Sequence, residues 1–149
     1  MELTLIKKGL TTYEIINKKQ QPIYKVVKKL GLFNNTIEIY DEKKNNVAII
    51  KESNFSKIKY KIYQKGLQTD SVSPLKSTSL EQYLLLSHKW KIVGDITYTD
   101  YKVMNERNDI LISMKCTLVD PDIWNIDITT DNKNFAIITC MIIYFIAKK

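Results

Sequence analysis

Lysine is the residue type in this chain whose spacing could do chemistry. In Lys57-Ile58-Lys59-Tyr60-Lys61-Ile62-Tyr63, strand alternation puts Lys57, Lys59 and Lys61 on one face and Ile58, Tyr60 and Ile62 toward a core. Successive lysines on that face stand about 6–7 Å apart. Lys65 follows just beyond, and Lys89 and Lys91 repeat the arrangement around Trp90. A row of like charges repels unless an anion neutralises it, so the chemistry on offer is electrostatic capture of an anionic headgroup or another polyanion. The same pattern also describes a lysine-rich, solvated sheet exterior that discourages aggregation.

The other reactive side chains point to structure. His88 is the single histidine, which excludes a multi-histidine metal cluster or mechanism, and Ser87 beside it is not a nucleophile by adjacency, because catalytic pairs are set by the fold. Cys116 falls in a strand and Cys140 in an apolar terminal segment, so both read as packed thiols. Ser73-Pro74-Leu75-Lys76 matches a Ser-x-x-Lys string without the rest of that signature. Asp95, Asp100, Asp120 and Asp122 could supply paired carboxylates for acid/base work, but with Pro121 between two of them turn chemistry is the better account. No catalytic residue, metal site or cofactor is expected, and the chain is read as a non-enzyme.

Bulk composition bounds the partners. The 149 residues, 44% apolar and 26% charged, suffice for one domain over residues 1–149 with a real core. A net charge of +7 suggests a polyanion, yet 22 of the 23 basic residues are Lys. Arginine is the residue that grips phosphate or guanine bidentately, so the nucleic-acid signal is not strong. The charge is uneven: +8 over residues 1–65, −4 over 66–131 and +3 over 132–149. The N-terminus turns polar within a few residues and the two cysteines lie far apart, so a reduced, cytoplasmic location is expected, peripheral to the membrane if the lysines hold lipid.

Repetition shows which elements must position the lysines. Residues 37–63 align without a gap on 101–127 at an offset of 64, setting Ile39 on Val103, Ile50 on Met114, Lys51 on Lys115 and Tyr60 on Trp124. An earlier copy starts at Tyr13 and, after one residue of slip, brings Val26-Val27-Lys28 over Ile49-Ile50-Lys51. Each copy reads as a strand, an Asx residue opening a polar turn (Asn17, Asp41, Asn105), and a second strand ending in Lys. Asn45-Asn46 and Asn108-Asp109 are expected to take the left-handed turn positions. Residues 68–79 read as the longest loop, residues 80–87 as either helix or strand, and Gly94 as a bulge or close-approach point in a strand over 90–96.

The chain ends differently. After N-cap chemistry at residues 131–134, Phe135 to Ala147 is a run in which only Thr139 is polar, followed by Lys148-Lys149. A helix apolar all round needs burial on every side, and this one is shorter than the roughly 20 residues that span a bilayer. A closed sheet wrapped around it meets that need. If such a barrel opened, the helix could reach a membrane interface anchored by Lys148 and Lys149, but emptying the barrel would exceed a domain stability of about 5–15 kcal/mol.

Residues 39–43 followed by 47–51, Tyr60-Lys61-Ile62-Tyr63, Trp90-Lys91-Ile92-Val93-Gly94-Asp95 with Tyr101, and the apolar terminal helix together resemble the LURP-one-related domain of the tubby C-terminal-like superfamily, related to phospholipid scramblases. The resemblance covers essentially the whole chain. It implies a closed antiparallel β-barrel of about twelve strands around a buried C-terminal helix. It also implies lipid contact, since tubby domains hold phosphoinositides through basic barrel residues. The chain has neither an Asp-rich calcium loop nor a palmitoylatable cysteine cluster, so calcium-driven scrambling is not expected. The expected function is an interaction module for anionic phospholipid headgroups or another polyanion, through Lys57, Lys59, Lys61, Lys65, Lys89 and Lys91. The alternative is a scaffold or regulatory domain that binds protein through the barrel surface or the 68–79 segment.

Overall fold

Period-two alternation becomes inward and outward rows on twelve strands. They are β1 (Glu2–Lys7), β2 (Thr12–Ile16), β3 (Pro22–Lys29), β4 (Thr36–Asp41), β5 (Asn46–Glu52) and β6 (Tyr60–Gln64). They continue as β7 (Leu67–Leu75), β8 (Glu81–Leu85), β9 (Trp90–Asp95), β10 (Asp100–Met104), β11 (Ile110–Cys116) and β12 (Ile123–Ile128), before α1 (Lys133–Ala147). The computed structural model describes residues 1–53, 57–75, 81–95 and 97–148. Each strand pairs antiparallel with the next, and β1 pairs with β12, so the sheet closes with no free edge.

The helix explains the closure. Phe135 through Ile146 are all buried, an unbroken apolar cylinder that a flat sheet could cover on one side only. Ile15, Val26, Ile37, Ile39, Ile50 and Ile62 point inward onto it and are fully buried, which accounts for much of the isoleucine richness. Within that buried stretch Thr139 donates its hydroxyl to the Phe135 carbonyl at 2.9 Å and so leaves nothing unsatisfied. Asn132 occupies the N-cap position without a side-chain cap bond. Asn134 instead accepts from the Tyr24 hydroxyl at 2.7 Å, which ties the helix start to β3.

Three hairpins share one turn. Asn17 Oδ1 accepts from the amides of Lys19 and Gln21, Asp41 Oδ1 from Lys43 and Asn45, and Asn105 Oδ1 from Arg107 and Asp109. The left-handed residue lies three positions after the Asx residue in each: Gln20 (φ 63°), Lys44 (φ 66°) and Asn108 (φ 66°). Asn108 was expected there, but in the second turn Lys44 takes the position and not Asn45 or Asn46. The turn's hydrogen bonds fix the place, and residue preference yields to them.

The one-residue slip in the first copy is also corrected. Ile15 pairs with Tyr24, Ile39 with Ala48 and Val103 with Ile112, with a bulge at the next pair in all three hairpins. The first copy therefore keeps a constant offset of 24 from the second: Val26 corresponds to Ile50, both fully buried. A slip would have turned that strand inside out. Lys28 accordingly matches Glu52, and only Lys51 and Lys115 are equivalent.

Residues 68–75, expected as loop, belong to β7, which pairs with both β6 and β8. Residues 76–79 of that expected loop, with Lys76 of the Ser-x-x-Lys string, lie outside the described residues. Of the stretch 80–87, open between helix and strand, residues 81–85 form β8 and 86–87 begin the turn after it, while residue 80 lies outside the described residues. Gly94 is a close-approach point: it pairs with Tyr101 on β10, and a Cβ there would overlap the Tyr101 ring. Because that ring is itself buried, Gly94→Ala is expected to destabilise by about 1–3 kcal/mol in chemical denaturation. An unchanged midpoint would show that the ring has room to move.

Candidate functional site

Of the expected lysine row Lys57, Lys59 and Lys61, only Lys61 lies within a strand. β6 begins at Tyr60, so Lys57 and Lys59 precede it. Lys59 is nevertheless held extended, its amide donating to the Val72 carbonyl and its carbonyl accepting from the Ser53 amide, each at 2.8 Å. Tyr60 and Ile62 are buried as alternation requires, whereas Ile58 is half-buried. Lys57, Lys59, Lys61 and Lys65 are all exposed, with Lys65 at φ 51° in the β6–β7 turn.

Directly across from Lys61 on β5 stands Lys51, also exposed, its Nζ 4.8 Å from the Tyr63 ring centroid. Cross-strand neighbours lie about 4.5–5.5 Å apart, and like charges there destabilise the sheet. No ion pair among the described residues engages Lys51, Lys57, Lys59, Lys61 or Lys65. Lys29 on β3 shows the contrast: its ammonium lies 2.8 Å from Glu38. That contact, with the Tyr40 hydroxyl at 2.6 Å, holds the Glu38 carboxyl below its ordinary value.

Lys89 and Lys91 form a separate place. β7 and β8 intervene between β6 and β9, a separation of about 14 Å at ordinary strand spacing. Lys89, at φ 59° in the β8–β9 turn, lies 3.6 Å from Glu106, and Lys91 is half-buried. The residues around the buried Trp90 thus repeat the local pattern without joining the first group.

The remaining candidates are structural in their contacts. His88 Nδ1 lies 2.7 Å from Asp70 Oδ2, and its ring stacks on Phe135 with centroids 3.5 Å apart. The buried Asp70 carboxylate also accepts from the amides of Ser71, Ser87 and His88. Asp95 and Asp120 each spend an oxygen on turn amides, and Asp100 lies 3.5 Å from Lys102. Asp122 is exposed. Cys140 is fully buried, and burial pushes its thiol well above the ordinary range. Cys116 is half-buried, within 3.6 Å of the Thr117 and Pro121 carbonyls.

Two arrangements went unseen in the sequence. Glu81 accepts from the hydroxyls of Tyr83 (2.6 Å) and Tyr101 (3.3 Å) beside a cavity of about 120 Å³ that Lys59 and Tyr60 also line. Burial raises the pKa of all three phenols, followed by Glu81 at Tyr83 and Tyr101 and by Glu52 and then Glu81 at Tyr60, so they remain protonated. The second is a groove of about 750 Å³ on the outer wall of β1, β12, β11 and β10, where Glu2, Asp100 and Asp127 mix with Lys18, Lys102 and Lys115. Lys18 bridges to Glu2 at 2.8 Å, so this groove largely neutralises itself. Among the described residues, no group of three or more His, Cys, Asp or Glu could hold a metal ion, and no helix is long and apolar enough to cross a membrane.

A family model described as LURP-one-related matches residues 1–146. No curated protein matches the chain by sequence. The fold is similar to the X-ray structure of a protein from Arabidopsis thaliana, with a TM-score of 0.69 and 12% identity over 99% of this chain and 91% of that one. At that identity the likeness speaks for the fold alone, and the sheet order and central helix agree with it.

Proposed function

The chain belongs to the LURP-one-related family, and we propose that it is a non-enzymatic interaction module that binds anionic phospholipid headgroups, or another polyanion of similar charge density, through the lysine wall of β5 and β6. The supporting observation is that Lys51, Lys59 and Lys61 are exposed neighbours with no ion pair among the described residues. An arriving phosphate relieves their mutual repulsion and is attracted at the same time. Lys57 and Lys65 extend the wall at either end, and Lys91 with the partly neutralised Lys89 offers a weaker second contact.

The test is a charge reversal. Replacing Lys51, Lys59 and Lys61 together with Glu changes only exposed side chains, so folding should persist by circular dichroism. Each lysine near an anionic surface contributes about 1 kcal/mol, so pelleting with vesicles containing phosphatidylserine should weaken roughly a hundredfold. Parallel titration with inorganic polyphosphate separates a lipid headgroup from a general polyanion. Pelleting equal to the parent protein's would contradict the reading and favour a protein-binding scaffold.

A further inference from the structure

The two ends of the barrel differ. At one end, the Asx turns present Lys18-Lys19, Glu42-Lys43 and Glu106-Arg107 to solvent, with Leu67 and Leu86 as scattered exposed apolar residues at the other two turns. At the other end, three connections adjacent around the closed sheet present apolar tips: residues 117–122 between β11 and β12, 8–11 between β1 and β2, and 30–35 between β3 and β4. Leu118 is 98% exposed, Val119 96%, Leu10 91%, Leu32 94% and Leu30 73%. Backbone bonds hold the three side by side, from the Lys7 amide to the Asp122 carbonyl (3.1 Å) and from the Lys28 amide to the Thr11 carbonyl (2.8 Å).

Exposure this complete has two consequences. Nothing in the barrel uses these side chains for packing, so their concentration on one arc calls for an external partner. They also do not cover one another, so they stand as separate prongs and not as a smooth apolar patch. A folded protein partner would need a matching socket for each prong, whereas a fluid bilayer interface accommodates them without shape matching. Charge selects the kind of bilayer. Lys7 and Lys8 lead into Leu10, and Lys28 leads toward Leu30 beside Lys29, which Glu38 already neutralises. Lys148, held by the Pro121 carbonyl at 3.0 Å, stands beside the Leu118 loop, whose own charges are Asp120 and Asp122, so the rim keeps a net positive charge. Lysines at the base of apolar tips place their ammonium groups at headgroup depth when the tips are buried.

We propose that this rim docks the protein on an anionic bilayer, with Leu10, Leu32, Leu118 and Val119 inserted at the interface and Lys7, Lys8 and Lys28 among the headgroups. It shares with the lysine-wall reading the choice of an anionic lipid surface, but it names other residues and another force. Apolar insertion resists salt, whereas capture by lysines does not.

The experiment compares the parent protein, a rim variant (Leu10→Ser, Leu32→Ser, Leu118→Ser) and the lysine-wall variant. Each is titrated with vesicles of phosphatidylcholine and phosphatidylserine. In a Cys116→Ser background, Leu118→Cys carries an environment-sensitive dye. The rim variant should bind at least about tenfold more weakly, because three buried leucines are lost, and the dye emission should shift to the blue on vesicle addition. If the rim variant binds like the parent and the dye does not shift, while the lysine-wall variant fails to bind, the rim proposal is overturned and the wall reading stands. If the parent binds no vesicles, both fall. If the parent self-associates in sedimentation and the rim variant does not, the rim belongs to a second copy of this chain and the bilayer proposal is overturned.

Discussion

Asp70→Ala is expected to lower the unfolding free energy by about 3–5 kcal/mol, because it strands the group of donors that the buried carboxylate now satisfies. Those donors are the amides of Ser71, Ser87 and His88 and the His88 ring, all within 3.1 Å of Asp70 oxygens. Together they knit the β8–β9 turn to β7, a link between residues 17 and 18 positions apart in sequence. For a chain of this length the loss corresponds to a fall in Tm of about 10 °C. Asp70→Asn, which keeps one acceptor oxygen, should lose less. A loss below about 1 kcal/mol for the alanine variant would show that water reaches those donors, and the buried carboxylate would then not hold the turn.

Phe135→Ala should cost a similar amount, about 3–5 kcal/mol, for a different reason. Phe135 is 1% exposed at the start of the buried helix, stacked on His88 and edge-on to Trp90 with centroids 5.0 Å apart. Removing the ring opens a cavity at the end of the lumen where the helix enters, and the sheet, closed on itself, cannot collapse to fill it. Both substitutions act on the His88 ring, which Asp70 holds on one side and Phe135 on the other. The double variant should therefore lose less than the sum of the two by at least about 0.5 kcal/mol. Additive losses in denaturant titrations would separate the helix entry from the turn.

What could be read from the sequence followed from signals that survive without three-dimensional partners. The terminal helix was legible because twelve successive inward positions leave no polar face, and from that a closed sheet followed. The offset of 64 was legible because β4–β6 and β10–β12 share one turn and one bulge, which forbids insertions between them. β7 was missed because its inward residues are Asp70 and Val72, so its buried face begins with a carboxylate and its outward face reads Ser71 and Ser73, which together imitate a loop. Pro74 near its end adds to the imitation.

The wall at β5 and β6 was half legible for a related reason. Alternation alone placed Lys59 and Lys61, because it is a property of one strand. Lys51 enters only through the register between β5 and β6, and the distance to Lys89 and Lys91 only through the two strands between them. The Asp70–His88 contact and the Glu81–tyrosine cluster are likewise products of closure, which brings together residues that share no sequence pattern. The rim leucines carried no signal in the sequence, since Leu10 after Gly9, Leu32 beside Phe33 and Leu118 beside Val119 read as core until the sheet shows them facing out.

The most direct test of the lysine wall is the salt dependence of binding to vesicles of fixed phosphatidylserine content, measured alongside pure phosphatidylcholine. Surface charge is screened over about 10 Å at 0.1 M salt and about 3 Å at 1 M. Capture by unpaired lysines predicts no binding to the neutral vesicles, and an affinity for the anionic ones that falls steeply as salt rises, with the Lys51→Glu, Lys59→Glu, Lys61→Glu variant showing a much flatter dependence. Equal slopes for the parent and the variant would contradict it.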